Sequence, residues 1–332
     1  MQISISKSEF KSSNKRNIIK VRNYNLNQEN IKAIIVVIHG MTENKELYSE
    51  FAEYLATKNY GVITYDHIGH GDSVNNEDER GYFAKENGYK YLTNDLKYVI
   101  KEANRFNLPV FLFGHSMGSL IARNYVSTNN TKNITGLILC GTIGQQWAID
   151  GAIQLSELMI EQKGPRFRSR KLNDIVIHLS KWKFEDVHDR YGWATKDKEY
   201  IEKSKNDKRM NFIFTASGFK DVFELVKITG QKESIENIPK ELPILMVSGG
   251  EDILGEYSEG IKRLEQAYMK AGIKDVTVKI YCNSRHGLLQ DVERKKVFSD
   301  IYEWIEVVRI AEKGEWNFSK NEIGVRLLWY GG

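Results

Sequence analysis

The chain of 332 residues predicts an α/β fold, a mostly parallel central sheet with helices on both faces and a helical insertion. Three observations point there. Short apolar runs alternate with longer stretches of helical periodicity. That alternation stops after Gly144 and resumes after about Gly230. And one apolar run, "FLF" from Phe111, turns into a helical pattern through the glycine-flanked serine of "GHSMG".

The elements follow in order. "ISISKSEF" and "RNIIKVRNYN" read as an antiparallel hairpin that starts the sheet. Their basic residues, among them Lys7, Lys11, Lys20 and Arg22, read as a solvated strand surface rather than a patch for anionic membrane. "AIIVVIHG", "YGVITYD", "PVFLFG" and "ITGLILCG" are short, rich in β-branched and aromatic residues, and end in glycine or a polar turn. Apolar character on both faces marks them as parallel strands buried on both sides. Between them, "NKELYSEFAEYLATKN" and "GYKYLTNDLKYVIKEANRFN" carry apolar residues at helical spacing. From Gln145 to about Gly230 there is no comparable strand, only helical stretches rich in Trp, Phe and Met with charged segments between them. "LPILMVSGGED" and "VTVKIYCNSRHG" then resume the sheet, and a helix runs from about Arg294 to Ala311. The expected organisation is a core over 1–144 and 231–311, an insertion over 145–230, and a tail over 312–332.

Composition bounds the function. Hydrophobic residues make up 41% of the chain, enough for a sizeable core. Lys and Arg number 48 against 44 Asp and Glu, and a surplus of four over this length argues against a dedicated nucleic-acid protein. The two cysteines, Cys140 and Cys282, exclude a disulfide scaffold and any zinc-type spacing; both end apolar runs and are expected as buried free thiols. "MQISISKSEF" lacks the apolar segment of a secretion leader, and "AIIVVI" is too short to span a bilayer, so a cytoplasmic, soluble protein is expected.

The serine between two glycines is the signature of a nucleophile elbow. A sharp strand-to-helix turn lifts Ser116 above the sheet, glycines at 114 and 118 avoid collision with neighbouring elements, and the helix aims its first amides at the site. A serine needs a base to act as a nucleophile. With the chain order Ser, acid, His, the base that follows the last strand is His286 in "NSRHGLL". The acid belongs at the end of "PILMVSGGED", where Glu251 and Asp252 compete; Asp252 is preferred because the turn aims a short carboxylate at the imidazole. Two backbone amides should complete an oxyanion hole, those of Met117 and of Met41 in the loop after "IIVVIHG". His67, His70, Asp66 and Asp72 in "YDHIGHGDS" could be drawn as a metal site, but glycines break the ligand spacing. A tight polar turn packed beneath the elbow is expected instead, with no metal and no cofactor.

Taken together, "VVIHGMTENKELYSEFAEYLATKNYGVITYDHIGHGDS", "FLFGHSMGSLIARNY", "SGGEDILG" and "RHGLL" resemble the monoacylglycerol lipase and lysophospholipase branch of the α/β-hydrolases. The resemblance covers roughly Ile18 to Val308, and "NDKRMNFIFTASGFKDVFELV" looks like that branch's cap segment. It implies an α/β-hydrolase fold with a helical cap, Ser116, Asp252 and His286 as a triad, and Met41 and Met117 as oxyanion donors. The chain departs from the branch at Gly287, where a glutamate is common, and the tail from about Glu312 lies outside the resemblance.

The resulting expectation is a serine ester hydrolase for single-acyl-chain lipids, monoacylglycerol or lysophospholipid, acting through an acyl-enzyme. A short-chain esterase or a peptidase on the same fold is the alternative, and a catalytically silent binding module the other class. Trp147, Ile149, Leu158, Phe212 and Phe214 are the candidate substrate-contacting residues, with Leu155, Met159 and Phe219 also considered for the apolar wall. The insertion is amphipathic and basic in "KGPRFRSRK" and "KSKNDKRM". It is read either as resting transiently on an anionic membrane surface or as closing a soluble pocket.

Overall fold

The computed structural model describes residues 2–144, 148–174 and 191–312. Trp147 and the expected tail beyond residue 312 lie outside the described residues. Among the described residues one sheet holds eight strands: β1 (Ile5–Lys11), β2 (Ile18–Tyr24), β3 (Ile34–Ile38), β4 (Gly61–Tyr65), β5 (Val110–His115), β6 (Gly136–Cys140), β7 (Ile244–Gly249) and β8 (Val276–Tyr281). Their order across the sheet is β1-β2-β4-β3-β5-β6-β7-β8. The β1–β2 and β2–β4 pairs are antiparallel, and every pair from β4 to β8 is parallel. β1 lies at the edge and is almost wholly exposed, so its lysines face water and blunt an otherwise open strand.

The sheet divides the core by alternation. Ile34, Val36 and Ile38 of β3 face one apolar cluster, Ile35 and Val37 the other. The same period of two places Leu112 and Leu137 on the first face and Phe111, Phe113 and Ile138 on the second. The first face is covered by α2 (Gly88–Asn104), α3 (Met117–Thr128) and α8 (Glu259–Lys270), the second by α1 (Ser49–Thr57) and α9 (Arg294–Glu312). Each stripe has helical spacing; Val297, Phe298, Ile301, Trp304, Ile305 and Val308 form that of α9. No helix of the described residues is long and apolar enough to cross a membrane.

Between β6 and β7 the chain forms α4 (Ile149–Lys163), α5 (Lys198–Asn206), α6 (Ala216–Gly230) and the short α7 (Lys232–Glu236). Buried Arg123 of α3 fastens both ends of this excursion. Its guanidinium donates to the Ile143 carbonyl, where the chain leaves β6, at 2.6 Å, and to the Thr229 carbonyl at the end of α6 at 2.8 Å. A second tie runs from α6, where the Asp221 carboxylate accepts the Tyr89 N–H at the start of α2 at 3.2 Å. Burial pushes that carboxyl up to about 7.

One sequence expectation is corrected here. Cys140 is buried at the end of β6, but Cys282 is exposed, because the chain has already left β8 and entered the turn leading to the histidine loop.

Candidate active site

At the end of β5 the backbone turns into α3 at Ser116, whose φ of 50° and ψ of −119° lie where an L-residue is strained. Such a conformation costs on the order of 1–3 kcal/mol and persists only where the surroundings enforce it. Here the enforcement is steric and polar. A Cβ on Gly114 would lie 2.6 Å from the Gly118 carbonyl oxygen, and one on Gly118 would lie 2.0 Å from that of Ile38 in β3. The Ser116 amide donates to the Cys140 carbonyl at 3.0 Å, which pins the turn to the neighbouring strand.

The structure brings Ser116, His286 and Asp252 together. The serine Oγ lies 2.8 Å from His286 Nε2, and His286 Nδ1 lies 2.9 Å from Asp252 Oδ2. The other carboxylate oxygen, Oδ1, accepts the Leu254 N–H at 2.9 Å. Asp252 and His286 are buried, whereas Ser116 keeps 9% of its surface open to the cavity above. Glu251, the competing acid, turns away to pair with Lys196 and with Arg285. Met41 and Met117 both line the cavity around Ser116. Met117 opens α3, so its amide belongs to the first turn, where N–H groups have no partner within the helix. The loop carrying Met41 passes close to the nucleophile, since a Cβ on Gly40 would lie 3.1 Å from the Ser116 Cβ.

That loop is held by residues that the sequence reading did not single out. The Glu43 carboxylate accepts the Gly40 N–H at 2.6 Å and the Tyr48 hydroxyl, and lies 3.0 Å from His115 Nδ1. His115 Nε2 faces the carbonyl oxygen of His286 at 3.1 Å. Both nitrogens of this buried ring therefore meet oxygen acceptors, an arrangement that calls for the doubly protonated imidazolium. The electrostatics agree. Burial by itself lowers the affinity of His115 for its proton, but the Glu43 carboxylate outweighs it and holds His115 above its ordinary value. Burial likewise works to raise Glu43, and His115 outweighs it and holds that carboxyl below its ordinary value. Glu43→Gln keeps the shape and removes the charge, so it leaves a buried cation without its counter-ion. It is expected to lower unfolding free energy by about 2–4 kcal/mol in urea titrations; a loss under about 0.5 kcal/mol would mean that the pair is not ionic. The position of His115 inside "GHSMG" was the available signal, but its partner lies 72 residues away.

The "YDHIGHGDS" turn, expected beneath the elbow, fastens onto the loop after β3. His67 N–H donates to His39 Nε2 at 3.1 Å, and Thr42 N–H to His70 Nε2 at 3.3 Å. Burial pushes His67 down to about 3 and His70 to about 4, so both rings are neutral near pH 7. Among the described residues the carboxylates of Glu46, Asp66 and Asp72 come close enough to hold a metal ion. The Lys45 ammonium already stands among them, 2.7 Å from Asp66, 2.6 Å from Asp72 and 3.1 Å from Glu46.

The cavity above Ser116 measures about 230 Å³ and is mainly apolar. Leu120, Val222, Phe223 and Val226 supply part of its wall, and Asn173, Tyr191 and Tyr200 add polar groups. Of the residues expected to contact substrate, Ile149 lines it. Leu158, Phe212 and Phe214 do not. Leu158 is 48% exposed on the outer side of α4, and the two phenylalanines pack around the His70 ring, Phe214 also against Phe83. Helical periodicity marks an apolar stripe but not which neighbour the stripe meets.

A family model described as "Serine aminopeptidase, S33" matches residues 29–293. Phospholipase YtpA of Bacillus subtilis is 27% identical over 235 residues, 69% of this chain and 80% of its own. The monoglyceride lipase of Homo sapiens is 25% identical over 281 residues, 82% of each chain. Among solved structures, a thermostable carboxyl esterase from Bacillus coagulans superposes with a TM-score of 0.85 at 24% identity, covering 92% of this chain and 99% of that one.

Proposed function

The chain belongs to the serine aminopeptidase, S33, family of the α/β-hydrolases, and on that footing we propose that it is a serine ester hydrolase for lipids with one acyl chain. One observation carries this reading: the Ser116–His286–Asp252 hydrogen-bond chain opens into a mainly apolar cavity. His286 Nε2 takes the Ser116 proton as Oγ attacks the ester carbonyl, and the amides of Met41 and Met117 receive the oxyanion. The proton then passes to the leaving alkoxide, and water, activated by the same imidazole, releases the acid. Asp252 holds the ring with its N–H on Nδ1 and stabilises the imidazolium as it forms. In this reading residues 145–230 act as a cap whose apolar wall receives the acyl chain. The names of the human and Bacillus subtilis relatives, a monoglyceride lipase and a phospholipase, support a glycerolipid ester substrate, monoacylglycerol first. An aminopeptidase needs a carboxylate free to pair with an α-ammonium, and among the described residues Glu43, the carboxylate lining the cavity, is engaged by His115, Gly40 and Tyr48.

The test is a panel of monoacylglycerols, lysophospholipids, graded p-nitrophenyl esters and aminoacyl p-nitroanilides. Monoacyl lipids should give the highest kcat/KM, and preferential cleavage of the anilides would overturn the assignment. The same panel addresses transient membrane contact through the cap, which is supported by exposed Leu158 and Phe167 in the same stretch as exposed Lys163, Arg166 and Arg170. Charge reversal of Lys163 and Arg170 should abolish activation by anionic vesicles and leave short soluble esters unaffected; Arg166 is spared because its guanidinium stacks on the Tyr82 ring at 3.9 Å and reaches the Asp78 carbonyl. Equal loss on both substrates, or no activation at all, would remove the membrane contact. Arg168 is left out because its guanidinium donates to the carbonyls of Arg80 and Asp78 and is structural.

A further inference from the structure

Residues 192–196 lie across the histidine loop. The Gly287 N–H donates to the Ala194 carbonyl at 2.7 Å, Thr195 Oγ1 to the Gln290 carbonyl at 3.0 Å, and the Lys196 N–H to Asp291 Oδ1 at 2.8 Å. The Arg285 guanidinium reaches back to the Gly192 carbonyl. These bonds bolt residues 192–196 to the loop that carries the base, and they set the half-buried Trp193 indole face to face with the His286 ring, centroids 5.1 Å apart and planes 30° from parallel.

We propose that Trp193 is a positioning residue for the reaction, an aromatic face that stabilises the His286 imidazolium as the Ser116 proton is transferred. The proposal rests on the ester hydrolase reading above. A stacked indole attracts a ring that gains positive charge more strongly than a neutral ring, so its effect appears when the proton moves and not when substrate binds. The other faces of the imidazole are accounted for. Asp252 meets Nδ1, Ser116 meets Nε2, and the tilted His115 ring, paired with Glu43, lies 5.0 Å away. Among the neighbouring charges, Glu251 is paired with Lys196 and Arg285. A cation at His115 opposes charge on His286, and the indole lies where it offsets that repulsion. Trp193 and Ala194 of this segment, and Tyr191 just before it, also line the cavity above Ser116.

The experiment follows a short p-nitrophenyl ester from pH 5 to 9 with wild type, Trp193→Leu and Trp193→Phe, each of the full chain and checked by circular dichroism. Trp193→Leu stays apolar but is smaller and loses the π face, so the pH limb separates lost packing from lost π stabilisation. This variant should lower kcat about three- to thirtyfold with KM within about twofold, and move the acid limb of kcat/KM to lower pH by about half to one pH unit. Trp193→Phe should restore most of the rate and the position of the limb. A packing defect would lower the rate without moving the limb. Wild-type activity with an unmoved limb in Trp193→Leu, or equal loss in Trp193→Phe, overturns the proposal alone. Wild-type protein that neither cleaves the ester nor takes a fluorophosphonate overturns the hydrolase reading and the proposal with it.

Discussion

Ser116→Ala is expected to lower kcat by about 10⁴–10⁶ while leaving the melting temperature within about two degrees of wild type. The rate loss follows from removing the atom that would carry the acyl group. What remains, the oxyanion amides and the cavity, accelerates hydrolysis over water by about 10³–10⁴, far short of the intact triad. The small stability change follows from the local structure. Alanine adopts the φ of 50° at about the same cost as serine, and the backbone bond to the Cys140 carbonyl is unchanged. The lost Oγ contact is with His286 Nε2 at the floor of a cavity that water can enter. Kinetics on a p-nitrophenyl ester beside a thermal melt decide the matter. Residual turnover near wild type would remove Ser116 from the mechanism, and a melt lowered by ten degrees would mean the serine is structural.

Asp252→Asn is expected to lower kcat by about 10³–10⁴, and the structure supplies the reason for so large an effect from one atom. An asparagine could in principle turn its carbonyl oxygen toward His286 Nδ1 and preserve the tautomer. The Leu254 N–H, 2.9 Å from Oδ1, demands an oxygen at the other position. The amide must therefore present its NH₂ to Nδ1, which makes that nitrogen an acceptor and leaves the proton on Nε2, where it can no longer receive one from Ser116. Glu251→Gln loses only partly exposed pairs with Lys196 and Arg285, so its effect on kcat should stay within a few-fold. If the two substitutions behaved the other way round, the acid would be Glu251.

Trp193 and Glu43 lie beyond what sequence reasoning reached, for different reasons. Glu43 sits three residues past Gly40 in an obviously special loop, yet a glutamate in a polar loop carries no sign that it will be buried against a histidine of another strand. Trp193 is 93 residues before His286, in a stretch with no periodic pattern to anchor it.

The elements legible in the chain are those whose cause is local. The apolar runs of β3 to β7 report burial on both faces because a strand alternates its side chains every residue, so filling both faces leaves a continuous apolar word. The elbow is legible because Gly114 and Gly118 must lack side chains wherever a strand turns so sharply into a helix at Ser116, and the order of Ser116, an acid and His286 along the chain follows the strands that carry them. The tertiary structure alone placed β4 between β2 and β3, because strand order depends on how crossovers pack and not on any strand's own residues. The sequence favoured Asp252 over Glu251, and the tertiary structure supplied the geometry, turning Asp252 to His286 Nδ1 and Glu251 to Lys196 and Arg285. It turned Leu158 to solvent and buried Phe212 and Phe214 around His70, because the angle at which a helix or loop meets the core is set by its neighbours. And it joined Glu43 to His115 and Trp193 to His286, pairs brought together only when elements distant in the chain dock on one another.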